Sequence, residues 1–281
     1  MEEDYIIRRM KAEEVSIAID WAKEQGWNPG LNDASCFYQA DPNGFFIGLL
    51  KGEPIAIGSA VCYGNDFAFC GLYIVKEEFR GRGYGLQLTH ERLKYTSNRL
   101  TGLDGVIDKV EKYKRLGYTE AHRNIRFCFT GKPSFTPSPN VVDISKIPFE
   151  QLEAFDRKYF LGPRNAFLHS WIAQPESKSY GYVEQQQLKG YGVIRRCFNG
   201  FKIGPLFAQT ASIAKALFEA LISAVKEGPV FLDCPEPNHE AIQMVQTYRM
   251  EPQFQVIRMY RNGNPKLPLQ EIYGITTFEL G

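Results

Sequence analysis

The sequence predicts a mixed α/β protein built as two similar halves. Three observations lead there. A first run of elements reads β-α-β-β-β-α-β-α-β and ends near Thr130. A second run, after Asn140, repeats the order strands, helix, strand, helix, strand. Between them lies GKPSFTPSPN, Gly131–Asn140, whose Pro, Ser and Gly content marks a linker. A chain of 281 residues also exceeds what one hydrophobic core comfortably fills.

In the first half, Tyr5–Arg9 reads as a strand. Val15, Ala18, Ile19 and Ala22 recur at helical spacing, so an amphipathic helix follows and stops near Gly26. GWNPGLNDASCFYQ carries an Asn-Pro-Gly turn signal and reads as loop. Phe45–Lys51 and Pro54–Tyr63 flank Gly52-Glu53 as a hairpin, and Phe67–Val75 is a further strand. A helix is expected over Leu86–Arg99, a short strand over Thr101–Val106, a helix over Asp108–Leu116 and a last strand over Ile125–Thr130.

In the second half, Phe149–Tyr159 reads as a helix. Tyr180–Gln187 and Tyr191–Cys197 read as strands about a Lys189-Gly190 turn. Gly200 turns into FKIGPLF, and a helix follows with Ile213, Leu217, Phe218, Leu221 and Val225 on one face. Val230–Asp233, Asn238–Tyr248 and Phe254–Tyr260 complete the strand, helix, strand series.

Composition narrows the function. With 44% hydrophobic and 23% charged residues and a net charge of +1, the chain is an ordinary globular protein and no polyanion-coating one. Neither nucleic acid nor membrane is expected as a partner. The start MEEDYIIRRM lacks the basic and apolar regions of a signal peptide. The six cysteines are scattered without a C-x-x-C pair, which reads as reduced thiols in a cytoplasmic protein. None of the four histidines falls at i, i+4, so no metal site is expected.

The informative stretch is YIVKEEFRGRGYGLQL, Tyr73–Leu88, where a strand becomes a helix across three glycines. A dinucleotide fingerprint would need glycine where Leu86 stands, and a P-loop would need Gly-Lys-Ser/Thr. What fits is R-x-x-G-x-G at Arg80, Gly83 and Gly85. Glycines let successive N–H groups face one concavity, and the helix N-terminus adds partial positive charge, so the loop suits a pyrophosphate. The plainer alternative is a glycine-rich turn with solvated arginines.

This element resembles the strand–loop–helix of the GNAT superfamily of acyl-CoA-dependent N-acetyltransferases, as does YKRLGY at Tyr113–Tyr118. GWNPGLND, GLDGV, HRNIRF, GFKIGPLF, LDCPEPN and GITTFELG are similar to its two-domain subfamily of the YitH/HolE kind, across nearly the whole chain. The resemblance implies tandem GNAT-like domains, each a mixed, mostly antiparallel sheet flanked by helices: a catalytic domain over residues 1–135 and a degenerate one over 141–281. It implies acetyl-CoA as cosubstrate and a small-molecule or peptide amine as acceptor. A non-catalytic acyl-CoA sensor or scaffold is the alternative.

The resemblance also implies site residues. Tyr73, Ile74 and Val75 would pair through their backbone with the pantetheine arm, where the strand splays from its neighbour. N–H groups around Arg80, Gly81, Arg82, Gly83, Tyr84, Gly85 and Leu86 would hold the pyrophosphate. Tyr113 falls at the general-acid position, although Val106 replaces the family's helix-opening Asn; its plain reading is a half-buried aromatic. Asp104 is the leading candidate for general base, with water as the alternative, and Glu77 and Glu78 read as a solvated turn. Trp27, Asn28 and Asp33 lie on the loop covering the acceptor side; Asn28 also suits a turn and Trp27 a core plug. The second half lacks both elements: Gly204–Ala214 has no R-x-x-G-x-G, and Val245 stands at the Tyr position. It reads as a non-catalytic half that closes the substrate cleft.

Overall fold

In the computed structural model, residues 4–131, 135, 138–225 and 227–281 are described. The expected linker Gly131–Asn140 lies in large part outside them. The first half runs β1 (Tyr5–Arg9), α1 (Val15–Glu24), α2 (Asp33–Ala40), β2 (Phe45–Leu50), β3 (Glu53–Tyr63), β4 (Phe67–Val75), α3 (Tyr84–Thr96), β5 (Leu100–Val106), α4 (Val110–Arg115) and β6 (Thr119–Phe129). The second runs β7 (Val141–Asp143), α5 (Phe149–Asp156), α6 (Asn165–Ile172), β8 (Ser177–Glu184), β9 (Gln187–Arg196), β10 (Phe201–Ala208), α7 (Ala211–Ser223), β11 (Val230–Pro235), α8 (His239–Thr247) and β12 (Glu251–Arg261), then adds β13 (Ile272–Gly274). Element for element, the second half copies the first.

The halves share one sheet of order β1-β2-β3-β4-β5-β12-β6-β11-β10-β9-β8-β7. Their last strands are exchanged. β12 pairs with β5 from Val256↔Val106 to Arg261↔Thr101 and with β6 on its other side. β6 in turn pairs with β11 from Val230↔Phe129 to Pro235↔Asn124. The β4–β5 and β10–β11 pairs are parallel and the remaining ones antiparallel. Successive strand residues face opposite sides, which sorts them between cores. Phe45 and Ile47 pack with α1, α2, α5 and α6 in a cluster drawn from both halves, while Phe46 faces the cluster under α3 and α4. A third cluster lies under α7 and α8 and includes Phe127 and Phe129 of β6. Among the described residues, no helix is long and apolar enough to cross a membrane.

The structure departs from the sequence reading at one turn and two helices, and it adds the short strands β7 and β13. The β8–β9 turn is Gln185-Gln186, both with positive φ (49° and 61°), and not Lys189-Gly190. Gly190 lies within β9 because a Cβ there would meet Phe207 O at 2.9 Å and Ile213 Cγ2 at 2.8 Å. Two short helices, α2 and α6, stand where no helix was expected. Each is held by the other: the rings of Phe37 and Trp171 stack at 6.1 Å and Ser170 Oγ donates to Cys36 Sγ. That support comes from tertiary packing, which outweighs weak local propensity.

The exchange makes a testable demand. A fragment of residues 1–135 leaves β6 with neither strand partner and β5 with a bare edge. Its circular-dichroism melt is expected to show no cooperative transition, and gel filtration is expected to show association through the open edges. A monomeric, cooperatively folding fragment would show that β6 does not need β11 and β12.

Candidate active site

A cleft opens where β4 parts from β5. The two strands pair only from Phe67↔Leu100 to Cys70↔Leu103. On its other side β4 stays with β3 as far as Val75, with a register shift beside Leu72, whose φ is +47°. Gly71–Val75 therefore border a cavity of about 1010 Å³ without a strand on the β5 side. Gly81, Gly83, Gly85, Thr89, Arg92, Tyr113 and Trp27 border it too.

The glycine loop connects β4 to α3. Gly81 and Gly83 have φ of +78° and +88°, left-handed values that favour glycine, and a Cβ at either would meet nothing within 4 Å. The surface there is bare backbone open to a ligand. Gly83 is the N-cap of α3 and carries no side chain to cap it. Among the described residues, nothing accepts from the N–H groups of Gly81, Arg82, Gly83 and Gly85. Free N–H groups at a helix N-terminus make an anion site. Gly85 is required for packing: a Cβ would collide with Tyr73 Oη and meet Val75 Cγ2 at 2.9 Å.

The loop's side chains do other work than the sequence suggested. Arg80 Nε donates to Val75 O at 2.9 Å and ties the loop to the end of β4. Arg82 sits 5.8 Å from the Phe79 ring. The Tyr84 ring is buried, 4.8 Å from Tyr5 and 6.3 Å from Phe79. Leu86 is 53% exposed on the first turn of α3. Arg80, Lys109, Lys112 and Arg115 border the same cavity and make it basic.

Tyr113, on α4, packs its ring against Gly105, where a Cβ would meet it at 2.9 Å. Burial pushes its hydroxyl pKa up, so it remains a protonated donor. Asp104 also borders the cavity, with its carboxylate already paired. Its side chain is fully buried; Arg258 Nε and Nη2 donate to its two oxygens at 2.8 and 2.7 Å, and Asn124 Nδ2 donates at 2.9 Å. Burial pushes the Asp104 pKa up against the pull of Arg258 and Asn124. The bidentate pair joins β5 to β12, one charge from each half.

Of the expected acceptor residues, Trp27 alone borders the cavity. Asp33 is buried, accepts from Arg195 Nε and Nη2 at 2.8 and 3.1 Å, and caps Gly30 N at 2.7 Å. Asn28 exchanges two hydrogen bonds of 2.8 Å with the backbone of Asn199. Both lock the halves together.

What the sequence reading missed comes from the second half. Phe254 and Val256 of β12, with Phe278 and Glu279 of the segment after β13, line the cleft opposite the loop. Arg126 of β6 organises this wall. It pairs with Asp233 at 2.6 and 2.8 Å, donates to Trp27 O at 2.8 Å and lies 4.7 Å from the Phe278 ring. Burial works against both charges, yet their pairing pushes Arg126 up and Asp233 down. Arg126 falls within the HRNIRF stretch, but no local pattern distinguishes it from a surface arginine.

The second half has a corresponding parting that is filled. β10 pairs with β11 only over Phe201–Ile203; beyond it, β13 pairs with β10 through Leu206↔Gly274 and Phe207↔Ile272. Asn238 Nδ2 holds β13 by donating to Ile272 O at 3.0 Å. At α7, the counterpart of α3, Thr210 caps the helix by accepting from Ile213 N at 3.4 Å. The chain thus satisfies internally what α3 and β4 leave open.

Replacing Asp104 by Asn leaves Arg258 as an uncompensated buried charge. Urea denaturation is expected to show a loss of about 3–5 kcal/mol. A fall in turnover with stability unchanged would instead restore Asp104 as a base.

The comparisons with known proteins agree with this geometry. The Acetyltransferase (GNAT) family matches residues 12–118, and the Acetyltransferase (GNAT) domain matches residues 152–274. A curated relative, holothin acyltransferase of Pseudoalteromonas sp. (strain SANK 73390), is 29% identical over 96% of this chain and 92% of its own. The uncharacterized N-acetyltransferase YitH of Bacillus subtilis (strain 168) is 24% identical over 81% of each. A putative acetyltransferase from Pyrococcus horikoshii has the same fold, with a TM-score of 0.84 at 20% identity over 99% of this chain and 96% of its own. A tandem GNAT protein from the clavulanic acid biosynthesis pathway aligns with a TM-score of 0.65 at 12% identity, over 94% of this chain and 100% of its own. With one matching domain in each half, this chain belongs to the GNAT acetyltransferases, in their two-domain form.

Proposed function

We propose that the protein transfers an acetyl group from acetyl-CoA to a primary amine by direct attack within a ternary complex. In this reading residues 1–135 carry the chemistry and residues 141–281 wall the acceptor side. One observation carries it: the parted β4, the bare glycine backbone at the α3 N-terminus and the Tyr113 hydroxyl border one cavity. The family supports acyl transfer in general, and the relative named for acyl transfer to holothin supports it further.

The residues fit a coenzyme A thioester. The N–H groups around Gly81–Gly85 would hold its pyrophosphate, with the cations of the cavity nearby. The backbone of Tyr73–Val75 would pair with the pantetheine arm as an added strand does. The thioester supplies an activated acyl carbon and a thiolate leaving group. Free N–H groups of the parted β4 can polarise the carbonyl, and Tyr113 Oη can give a proton to the departing sulfur. Trp27, Phe254 and Phe278 shield the acceptor side from water.

Release of free thiol from acetyl-CoA against a panel of primary amines tests the reaction. Saturable acetyl-CoA binding with no thiol released by any amine would favour a sensor. Gly83→Asp puts a negative charge against the pyrophosphate and is expected to abolish acetyl-CoA binding in calorimetry; unchanged affinity in a folded variant would remove the site. Tyr113→Phe is expected to lower kcat by ~10²–10⁴-fold with acetyl-CoA affinity retained. Wild-type turnover with chemistry rate-limiting would leave the ring a packing role only.

A further inference from the structure

The geometry points to Glu279 as the residue that binds the acceptor's ammonium group and takes its proton, the acceptor being a compact primary amine with a flat apolar body. This role rests on the acetyl-transfer reading above. Glu279 lines the cleft, yet it lies on the segment that follows β13, far along the chain from the catalytic half. Its residue is 3% exposed, and its Oε2 is buried with no hydrogen-bond partner among the described residues. A buried carboxylate oxygen without a donor is costly, and an incoming ammonium would satisfy it.

Position supports chemistry. The Glu279 backbone carbonyl occupies the place a Cβ would take on Gly71, so the segment presses on β4 where β4 leaves β5. Tyr63 Oη donates to Leu280 O at 3.0 Å and fixes it there. Charges facing Glu279 from β6, β9 and β10 are Arg126, Arg195 and Lys202. Arg126 pairs with Asp233 and Arg195 with Asp33, while Arg195 Nη1 is left without a partner among the described residues. Lys202 Nζ is buried without a partner and forms no ion pair with Glu279. Phe254, Phe278 and Trp27 line the same cavity as Glu279 and offer apolar faces for the amine's body.

The step balances as follows. Glu279 takes one proton from the ammonium. The freed nitrogen lone pair forms the N–C bond to the acyl carbon as the C–S bond breaks. Tyr113 gives its proton to the thiolate, and the second nitrogen proton restores Tyr113. Glu279 then releases its proton to solvent.

Benzylamine, an ammonium at neutral pH, and aniline, already neutral, are the probes. In Glu279→Gln, kcat/KM for benzylamine is expected to fall by ~10²–10⁴-fold, with a much smaller fall for aniline. Acetyl-CoA affinity by calorimetry should not change. Glu279→Asp, which retains the charge but withdraws it by one methylene, should lose benzylamine turnover less and serves if the glutamine variant does not fold. Unchanged benzylamine kinetics with a lowered melting temperature would overturn the role and make Glu279 a counter-charge to Lys202. Equal losses on both amines would overturn it too. Wild-type acetylation of neither probe would overturn the acceptor class. Failure of the wild type to bind acetyl-CoA would instead overturn the transfer reading itself, and this role with it.

Discussion

The architecture depends on a strand exchange. β12 of the second half stands between β5 and β6, so the first half's sheet continues through a strand that the other half supplies. Backbone N–H and C=O groups buried in a sheet must be paired. β5 finds its outer partner only in β12, and β6 finds both partners in the second half. Neither half completes its sheet alone. The Asp104–Arg258 and Asp33–Arg195 pairs follow the same rule, each with one charge from each half buried at the join. Such pairs contribute less to net stability than to specificity, because a misregistered assembly would strand a bare charge.

Exchange also decides where one wall of the cleft comes from. With β12 against β5, Phe254 and Val256 reach the cleft of the other half, and the segment after β13 crosses to Gly71. One stretch of chain thus does opposite things in the two halves. β13 fills the parting of β10 from β11, and the residues that follow leave the parting of β4 from β5 open but lined. Symmetry of fold is retained while the parting stays open on one side only. The helix termini show the same division: Thr210 caps α7, whereas α3 starts on Gly83 and keeps its N–H groups free.

Several features were legible because they are local. Left-handed φ at Gly83 favours glycine, and the R-x-x-G-x-G pattern records it. The buried stripe Val15, Ala18, Ile19 and Ala22 of α1 is a helical period. Tyr113 follows from its spacing to Gly117 and Tyr118, and it does line the cleft. Helices α2 and α6 were illegible because eight residues make little more than two turns and carry little periodic signal, and each is stabilised by the other. The partners of the charged candidates were illegible for a related reason. Asp104 and Asp33 look like free carboxylates in the sequence, and their arginine partners lie 154 and 162 positions away.

By itself, then, the sequence determined the order of most elements, the bare glycine backbone at the start of α3 and the family to which both belong, since each is written in residues a few positions apart. Which strand lies beside β5, which carboxylates are neutralised and which remains unpaired at the cleft were decided only by the tertiary structure. Pairing a strand or a charge is a choice among all partners the folded chain brings within reach. That choice is set by burial and register, and adjacency in the sequence carries no trace of it.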